Sequence, residues 1–275
     1  METKNLESWE QLEQAIADIE ADLARSKPKD SPSEASKPLF RGHGSSSWSL
    51  QTTLERSSSR EISMLEYFHF ARMAKPRVET FTGQTWEMPS ESECKEWQDR
   101  VVNENMGTIY KLPGFNYLTY LRHHGFPSPL LDWTASPYVA AFFAFRQPPG
   151  EADHVSIYAY VESTGDVKWT AGSSPEIIEF GQYIKSTRRH FLQQSRYTIC
   201  TVNRDNQLYY QPHESVAGRT QGQDLLWKMN VPADERKKAL IRLSRMNVNA
   251  YSLFNSEDSL LEAIAVEDLF LKDHL

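Results

Sequence analysis

Cysteine is scarce in this sequence: Cys94 and Cys200 are the only two among 275 residues. They lie far apart, and neither belongs to a CxxC or CxxH pair, so the ligand spacing of a structural zinc site is missing. Two isolated cysteines are typical of reduced, buried thiols in a cytosolic protein. We therefore expect no metal site and a cytoplasmic location.

Long hydrophobic runs and an excess of positive charge are also missing. No run approaches the ~18 apolar residues of a membrane helix, and the first residues do not resemble a signal peptide, so we expect no membrane partner. The formal net charge of −7 argues against a globally basic nucleic-acid binder, although a local basic patch remains open. Aromatic residues make up 12% of the chain, which is enough to build a real core.

Several common catalytic motifs are absent. The sequence contains no GxxxxGK[ST] phosphate loop, no GxSxG elbow and no HExxH zinc motif. His123 and His124 are adjacent, so on a helix they point in different directions and cannot share one metal. A nuclease that uses His124 and Asp132 stays open as an alternative.

The chain divides into a short N-terminal part and one larger unit. Apolar residues at helical spacing predict an amphipathic helix over 8–25, and the polar segment 26–37 predicts a linker, so we expect boundaries at 1–36 and 37–275. The sequence leaves open whether this helix packs on the rest of the chain or contacts a partner. Beyond it, strands and helices alternate without a regular βαβ rhythm, which predicts an α+β fold with a mixed central sheet flanked by helices. The strands are expected at 39–42, 130–133, 154–163, 196–202, 223–232 and 250–254.

The helix signals are specific enough to test. We expect a helix over 59–75 that Pro76 ends and a helix after Gly114 that stops at Gly125. Ser136 fits an N-cap with proline at the first helical position. Asp234 is expected to cap a basic helix that reaches about residue 246.

Arg41 stands out because an apolar run delivers one guanidinium to a glycine turn, in the sequence LFRGHGSSSWSL. A guanidinium is a bidentate clamp for phosphate or carboxylate, and Gly42 and Gly44 let backbone amides approach an anion closely. The alternative is an internal ion pair between Arg41 and a residue such as Asp132. Both interpretations remain open from the sequence.

Two further segments contain candidate functional residues. In LLDWTASPYVAAFFAF, polar residues 132–136 lie between an apolar strand and an apolar helix. They either cap the helix and brace the turn or face a cleft at the helix N-terminus. In KSTRRHFLQQSRYTIC, residues 185–200, basic and aromatic residues interleave, which suits nucleic-acid contact or a solvated helix face.

Together these segments resemble the FRG domain family, named for a Phe-Arg-Gly motif like residues 40–42 here. The resemblance also includes a Trp-containing stretch at 47–50, the HHG of 123–125 and LLDWTASP from Leu130. It covers roughly residues 37–265. Ser128-Pro129 stands where the family has Thr-Arg, so one expected cation is missing.

The FRG layout in turn resembles ADP-ribosyltransferases of the Arg-Ser-Glu type, and this resemblance implies an ADP-ribosyltransferase-like fold and NAD as substrate. It implies that Arg41 holds the NAD pyrophosphate or ribose and that Thr134 and Ser136 brace the nicotinamide side. Gln193 would stand where the glutamate is expected, with Glu262 as the alternative for that third position. The implied NAD-contacting residues are Phe40, Gly42, His43, His124, Asp132, Trp133 and Tyr197.

The resemblance also implies a biological setting. FRG-type proteins look like components of bacterial toxin–antitoxin and anti-phage systems, so an antitoxin or chaperone partner is expected. The modified acceptor would be RNA or DNA, approached by Arg188, Arg189 and Arg196. A non-catalytic module that binds a nucleotide or a nucleic-acid end is the main alternative.

Overall fold

The computed structural model describes residues 1–26, 36–104, 112–165, 168, 174–180 and 188–272. Its eight strands form one sheet in the order β1-β8-β4-β2-β3-β6-β5, with β7 paired to β6. The pairing of β1 with β8 is parallel and the others are antiparallel. The strands are β1 Glu2–Asn5, β2 Leu39–His43, β3 Leu131–Thr134, β4 His154–Ser163, β5 Glu176–Phe180, β6 Ser195–Arg204, β7 Gln207–Tyr210 and β8 Gln223–Pro232.

Helices cover the sheet, which confirms the predicted mixed sheet flanked by helices. They are α1 Trp9–Ser26, α2 Thr53–Ser57, α3 Met64–Thr82, α4 Glu91–Glu104, α5 Phe115–His123, α6 Pro137–Phe145, α7 Arg188–Leu192, α8 Arg236–Arg245, α9 Ala250–Phe254 and α10 Glu257–Ala265, which a π-helical turn, Val266–Leu271, extends. No described helix is both long and apolar enough to cross a membrane.

Two apolar clusters lie on one face of the sheet. The first packs α1, α6 and α8 against β2, β4 and β8, and the second packs α3, α4 and α5 against β5 and β6. A smaller cluster on the opposite face includes Leu39, Trp133 and Tyr158. Cys94 and Cys200 are free and buried, as predicted.

The N-terminal helix packs on its own chain. Its apolar stripe, Trp9, Leu12, Ile16, Ile19 and Leu23, is buried in the first cluster. On its outer side Glu10 pairs with Lys238 and Arg242 of α8. The strand β1 that precedes it had no signal in the sequence, because four polar residues carry no alternating apolar pattern.

Three local predictions were wrong. Pro76 lies inside α3 rather than at its end, because residues beyond it, including Val78, still pack on the second cluster. Residues 250–254 form a helix, since Asn249 and Ser252 make a reciprocal capping box that outweighs the strand preference of Tyr and Phe. Asp234 lies in a 3₁₀ turn before α8, whose N-cap residue is Glu235.

Candidate functional site

The sheet is split between β2 and β3. Their ladder contains a single residue pair, Phe40 with Thr134, whereas β2 pairs with β4 along all five of its residues. Beyond Phe40 the two strands diverge, and β3 continues in register with β6. A gap therefore opens in the middle of the sheet, at the end of β2 that carries Arg41–His43.

A cavity of about 830 Å³ occupies this gap. Because paired residues share a face and neighbours along a strand alternate, Arg41 and His43 come from one face of the sheet while Thr134 and Ser195 come from the other. The cavity thus has walls from both faces. Its lining comprises Phe40, Arg41, Gly42, His43, Gly44, Ser47, Trp48, Ser49, Gln51, Arg56, Arg122, His123, Asp132, Trp133, Thr134, Ala140, Phe143, Arg189, Gln193, Ser195 and Phe254.

Arg41 reaches across the split. Its Nη1 donates to the backbone oxygen of Asp132 at 2.7 Å, and its Nε donates to His43 Nε2 at 3.0 Å. No carboxylate of the described residues pairs with it, so the internal ion pair considered as the alternative is not formed. Burial lowers the pKa of Arg41 from 12.5 to about 10, which leaves the guanidinium charged at neutral pH.

His43 is the neutral acceptor beside this guanidinium. Its ring is buried and meets Tyr158 edge to face at 5.0 Å between centroids. Burial, followed by the charge of Arg41, lowers the pKa of His43 from 6.5 to about 3. His43 therefore orients Arg41 without adding charge to the cavity.

The cavity is strongly positive. Its charged side chains are Asp132 and four arginines, Arg41, Arg56, Arg122 and Arg189. Asp132 is already neutralised, because Arg122 Nη2 lies 2.6 Å from its Oδ2. An excess of guanidinium groups around a concave site favours an anionic ligand that carries phosphate.

Two polar atoms of this ion pair have no hydrogen-bond partner among the described residues. They are Arg122 Nε and Asp132 Oδ1, both buried. Buried polar atoms are almost always paired in folded proteins. The ion pair at the cavity wall therefore holds one donor and one acceptor whose hydrogen bonds the described residues do not supply.

His123 links the cavity to a buried tyrosine. Its Nε2 lies 2.9 Å from the hydroxyl of Tyr197, and the His190 ring stacks on the Tyr197 ring with an interplanar angle of 16°. Burial lowers the pKa of His123, while the nearby Asp132 opposes the shift. His123 is thus held in a fixed orientation and is mainly neutral at pH 7.

The site residues expected from the sequence separate into two groups. Those that line the cavity are Phe40, Arg41, Gly42, His43, Asp132, Trp133, Thr134, Arg189 and Gln193. Those outside it are His124, Ser136, Arg188, Arg196 and Tyr197. His124 is exposed, with its ring tilted against that of Tyr120 at 4.2 Å between centroids, and it does not line the cavity that Asp132 lines.

Three residues of this outer group, Ser136, Arg196 and Tyr197, have structural contacts or are buried. Ser136 caps α6 by accepting from the backbone N–H of Val139. Arg196 lies 3.7 Å from the carboxylate of Glu179, and Tyr197 is fully buried. Arg188 is exposed at the start of α7.

Gln193 lines the cavity, but its side-chain amide already donates a hydrogen bond within the protein. It is only 7% exposed, and its Nε2 donates to the backbone oxygen of Leu253 at 3.2 Å. Its backbone oxygen accepts from Thr134 Oγ1 at 2.8 Å, which joins α7 to β3. Glu262 lies elsewhere, in a bidentate pair with Arg146 at 2.6 Å.

Sequence reasoning missed Arg56, Arg122 and His123. Arg122 and His123 directly precede His124, the residue that the resemblance implies, and the end of α5 turns them, rather than His124, toward the cavity. Arg56 follows a capping box at Thr52 and Glu55, and nothing in its local sequence indicates a ligand. No group of three His, Cys, Asp or Glu side chains among the described residues could hold a metal ion.

Comparison with known proteins gives one family match. A model of the FRG domain matches residues 36–153, the segment that contains β2, β3, α6 and most of the arginines of the cavity. No curated protein matches this chain. No solved structure matches it either.

Proposed function

Since residues 36–153 of this chain belong to the FRG domain family, we propose that the protein is an NAD-dependent ADP-ribosyltransferase with an ADP-ribosyltransferase-like fold. In this proposal NAD binds in the cavity between β2 and β3. The observation that carries the proposal is the cluster of four arginines around one concave site with a single, already paired carboxylate. A dinucleotide carries two phosphate groups that need such donors. The cavity volume of about 830 Å³ lies in the range of small-molecule and cofactor sites.

The proposed reaction needs one bond broken and one formed. The bond between the ribose carbon and the nicotinamide nitrogen of NAD breaks, nicotinamide leaves as a neutral base, and a nucleophilic atom of the acceptor bonds to that carbon. The proton of the acceptor must pass to a base. Orientation and electrostatic support contribute most to such a step, because its transition state has oxocarbenium character.

His123 is the residue that suits proton acceptance. Asp132 is paired with Arg122, His43 accepts from Arg41, and Gln193 cannot act as a base. His123 remains as the neutral, titratable group of the described lining, and Tyr197 fixes its ring. Thr134 and Gln193, which also line the cavity, join β3 to the end of α7.

The proposed acceptor is RNA or DNA. Arg189 lines the cavity, and on the same short helix Arg188 and Phe191 project into solvent, with Phe191 79% exposed. Cations and exposed aromatic rings beside a site are typical of single-stranded nucleic-acid contact. In this proposal the protein acts as a toxin in a bacterial toxin–antitoxin or anti-phage system, held in check by an antitoxin or chaperone.

A non-catalytic nucleotide-binding module is the second candidate. The observation that favours it is that no unpaired carboxylate lines the described part of the cavity. Without an unpaired carboxylate, the cavity can hold a nucleotide and still lack a strong base. Binding without turnover would identify this function.

The deciding experiment measures nicotinamide release. Wild-type protein, Arg41→Ala and the control Arg100→Ala are incubated with NAD and with RNA, DNA or protein acceptors, and labelled NAD reports transfer. Arg100 is exposed on α4 and does not line the cavity. The proposal expects release and labelling by the wild type and by Arg100→Ala, and loss in Arg41→Ala. Binding of NAD without release would support the binding module, and neither binding nor release would refute both.

A further inference from the structure

Trp48 differs from the other tryptophans that the structure describes. It is 58% exposed, whereas Trp9, Trp97 and Trp133 are buried, and Trp86 and Trp227 are half-buried. A large aromatic ring left in water forgoes the stabilisation that burial would give it. A specific use would account for its exposure at this position.

The backbone that carries Trp48 is rigidly held. Trp48 N donates to Ser45 O at 3.3 Å, and Tyr158 Oη donates to Trp48 O at 3.2 Å. Ser46 N donates to His154 O, and Lys228 Nζ donates to Ser46 O at 2.7 Å. Four hydrogen bonds therefore position the backbone of the turn from which the Trp48 ring projects.

The ring is supported on one side by the end of β2. A Cβ atom placed on Gly44 would lie 3.8 Å from the indole, so the ring rests close to the glycine backbone. The His43 ring is tilted beside it at 6.2 Å between centroids. Trp48 lines the same cavity as Arg41 and Arg56, so a flat apolar surface and the arginines proposed to hold phosphate belong to one site.

We infer that Trp48 is the platform on which the planar base of a nucleoside 5′-phosphate stacks when the arginines hold its phosphate. This inference deepens the proposed function, because NAD contains such nucleotides, but it concerns binding and needs no turnover. Base–aromatic stacking tolerates different bases and contributes strongly to affinity. The subsite therefore selects nucleotides over other phosphorylated sugars.

The test compares AMP with ribose 5-phosphate, which carries a hydroxyl group at C1 where AMP carries its adenine base. Their dissociation constants are measured by calorimetry for the full chain as wild type, Trp48→Ala, Trp48→Phe and Phe81→Ala. Phe81 is 92% exposed at the end of α3 and serves as the matched control. Circular dichroism and thermal unfolding show that each variant is folded.

We expect wild-type protein to bind AMP about ten-fold more tightly than ribose 5-phosphate. Trp48→Ala should remove that preference while leaving ribose 5-phosphate affinity unchanged, Trp48→Phe should keep most of it, and Phe81→Ala should behave as wild type. Equal losses for both ligands in Trp48→Ala, an unchanged AMP preference, or no AMP binding by the wild type would each overturn the inference. Nicotinamide release from NAD is measured separately, so AMP binding with the base preference and no release would refute the transferase alone.

Discussion

At the scale of single residues, Arg41 uses the shape of its guanidinium as well as its charge. Nε and Nη1 donate in two directions, to His43 and to the backbone oxygen of Asp132. Lysine has one nitrogen and cannot reproduce this planar fork. Arg41 is thus a bridge across the split sheet and a candidate phosphate ligand at once.

Arg41→Lys should therefore fail even though it keeps the charge. We expect AMP or NAD affinity to fall about ten-fold or more, and the free energy of unfolding to fall by roughly 1–3 kcal/mol, because one of the two buried acceptors loses its donor. Calorimetry and urea unfolding measure the two effects. Arg100→Lys is the control, and wild-type affinity in Arg41→Lys would refute the bidentate role.

His123 gives a pH-dependent prediction. Burial lowers its pKa below the ordinary value of 6.5, so the neutral ring that can accept a proton is present at pH 7. As the pH falls through this lowered pKa, the ring becomes protonated and turnover should fall. We expect nicotinamide release to be flat between about pH 7 and 8 and to drop on the acid side of about pH 6.5.

His123→Gln should remove this acid limb and lower kcat by about 10²- to 10⁴-fold, with KM for NAD little changed. His124→Gln is the matched control, since His124 is the exposed neighbour outside the cavity. Rates measured from pH 5 to 8 decide the matter. A wild-type profile in His123→Gln would exclude His123 as the base.

At the scale of elements, the close approach of α6 to β2 depends on Gly42. A Cβ atom at this position would lie 1.9 Å from Ala140 O and 2.6 Å from Ala144 N, both backbone atoms of α6. The glycine of the Phe-Arg-Gly motif is thus explained by packing: it lets the capped helix lie directly under the strand that carries Arg41.

Gly42→Ala should displace α6 or β2 and destabilise the protein by about 3 kcal/mol or more. Gly44→Ala is the matched control two residues further on, because its nearest neighbours would lie at 3.8 Å. We expect that control to be unchanged or stabilised by up to about 1 kcal/mol. Urea unfolding of both variants measures the contrast, and similar stabilities would show that helix packing does not require the glycine.

The sequence predicted elements well where the signal is local. The strands at 154–163 and 223–232 follow from alternating apolar residues, and Ser136-Pro137 correctly marked the start of α6. The strand predicted at 250–254 failed because the capping box beginning at Asn249 decides that segment. Local patterns thus identify most elements, but a cap can reverse an ambiguous one.

The candidate site was less predictable because it depends on contacts distant in sequence. Arg41 and residues 132–134 were identified, since an isolated charge or polar run in apolar surroundings is visible in the sequence. Arg56 and Arg122 join them only because β2 and β3 diverge. A split in the sheet is a property of the assembled strand order, which no local pattern encodes.

At the scale of the whole molecule, the N-terminal segment is part of the core that supports the site. Leu12 is 1% exposed in the cluster that also contains Phe40 and the helix α6. The parallel pairing of β1 covers one edge of β8. Both features couple residues 1–26 to the part of the chain that carries the cavity.

Removal of residues 1–26 should therefore unfold or aggregate the protein, because it exposes the first apolar cluster and an unpaired edge of β8. The milder change Leu12→Ala should lower the free energy of unfolding by about 2–5 kcal/mol. Leu261→Ala is the matched control, because Leu261 is 59% exposed on α10 and should change stability by less than about 0.5 kcal/mol. Urea unfolding and size-exclusion chromatography measure these outcomes. If the truncated chain unfolded cooperatively with wild-type stability and still bound AMP, residues 1–26 would not be needed for the fold or the site. If the truncated chain failed to fold, the functional unit would extend to the N-terminal strand, well beyond residues 36–153.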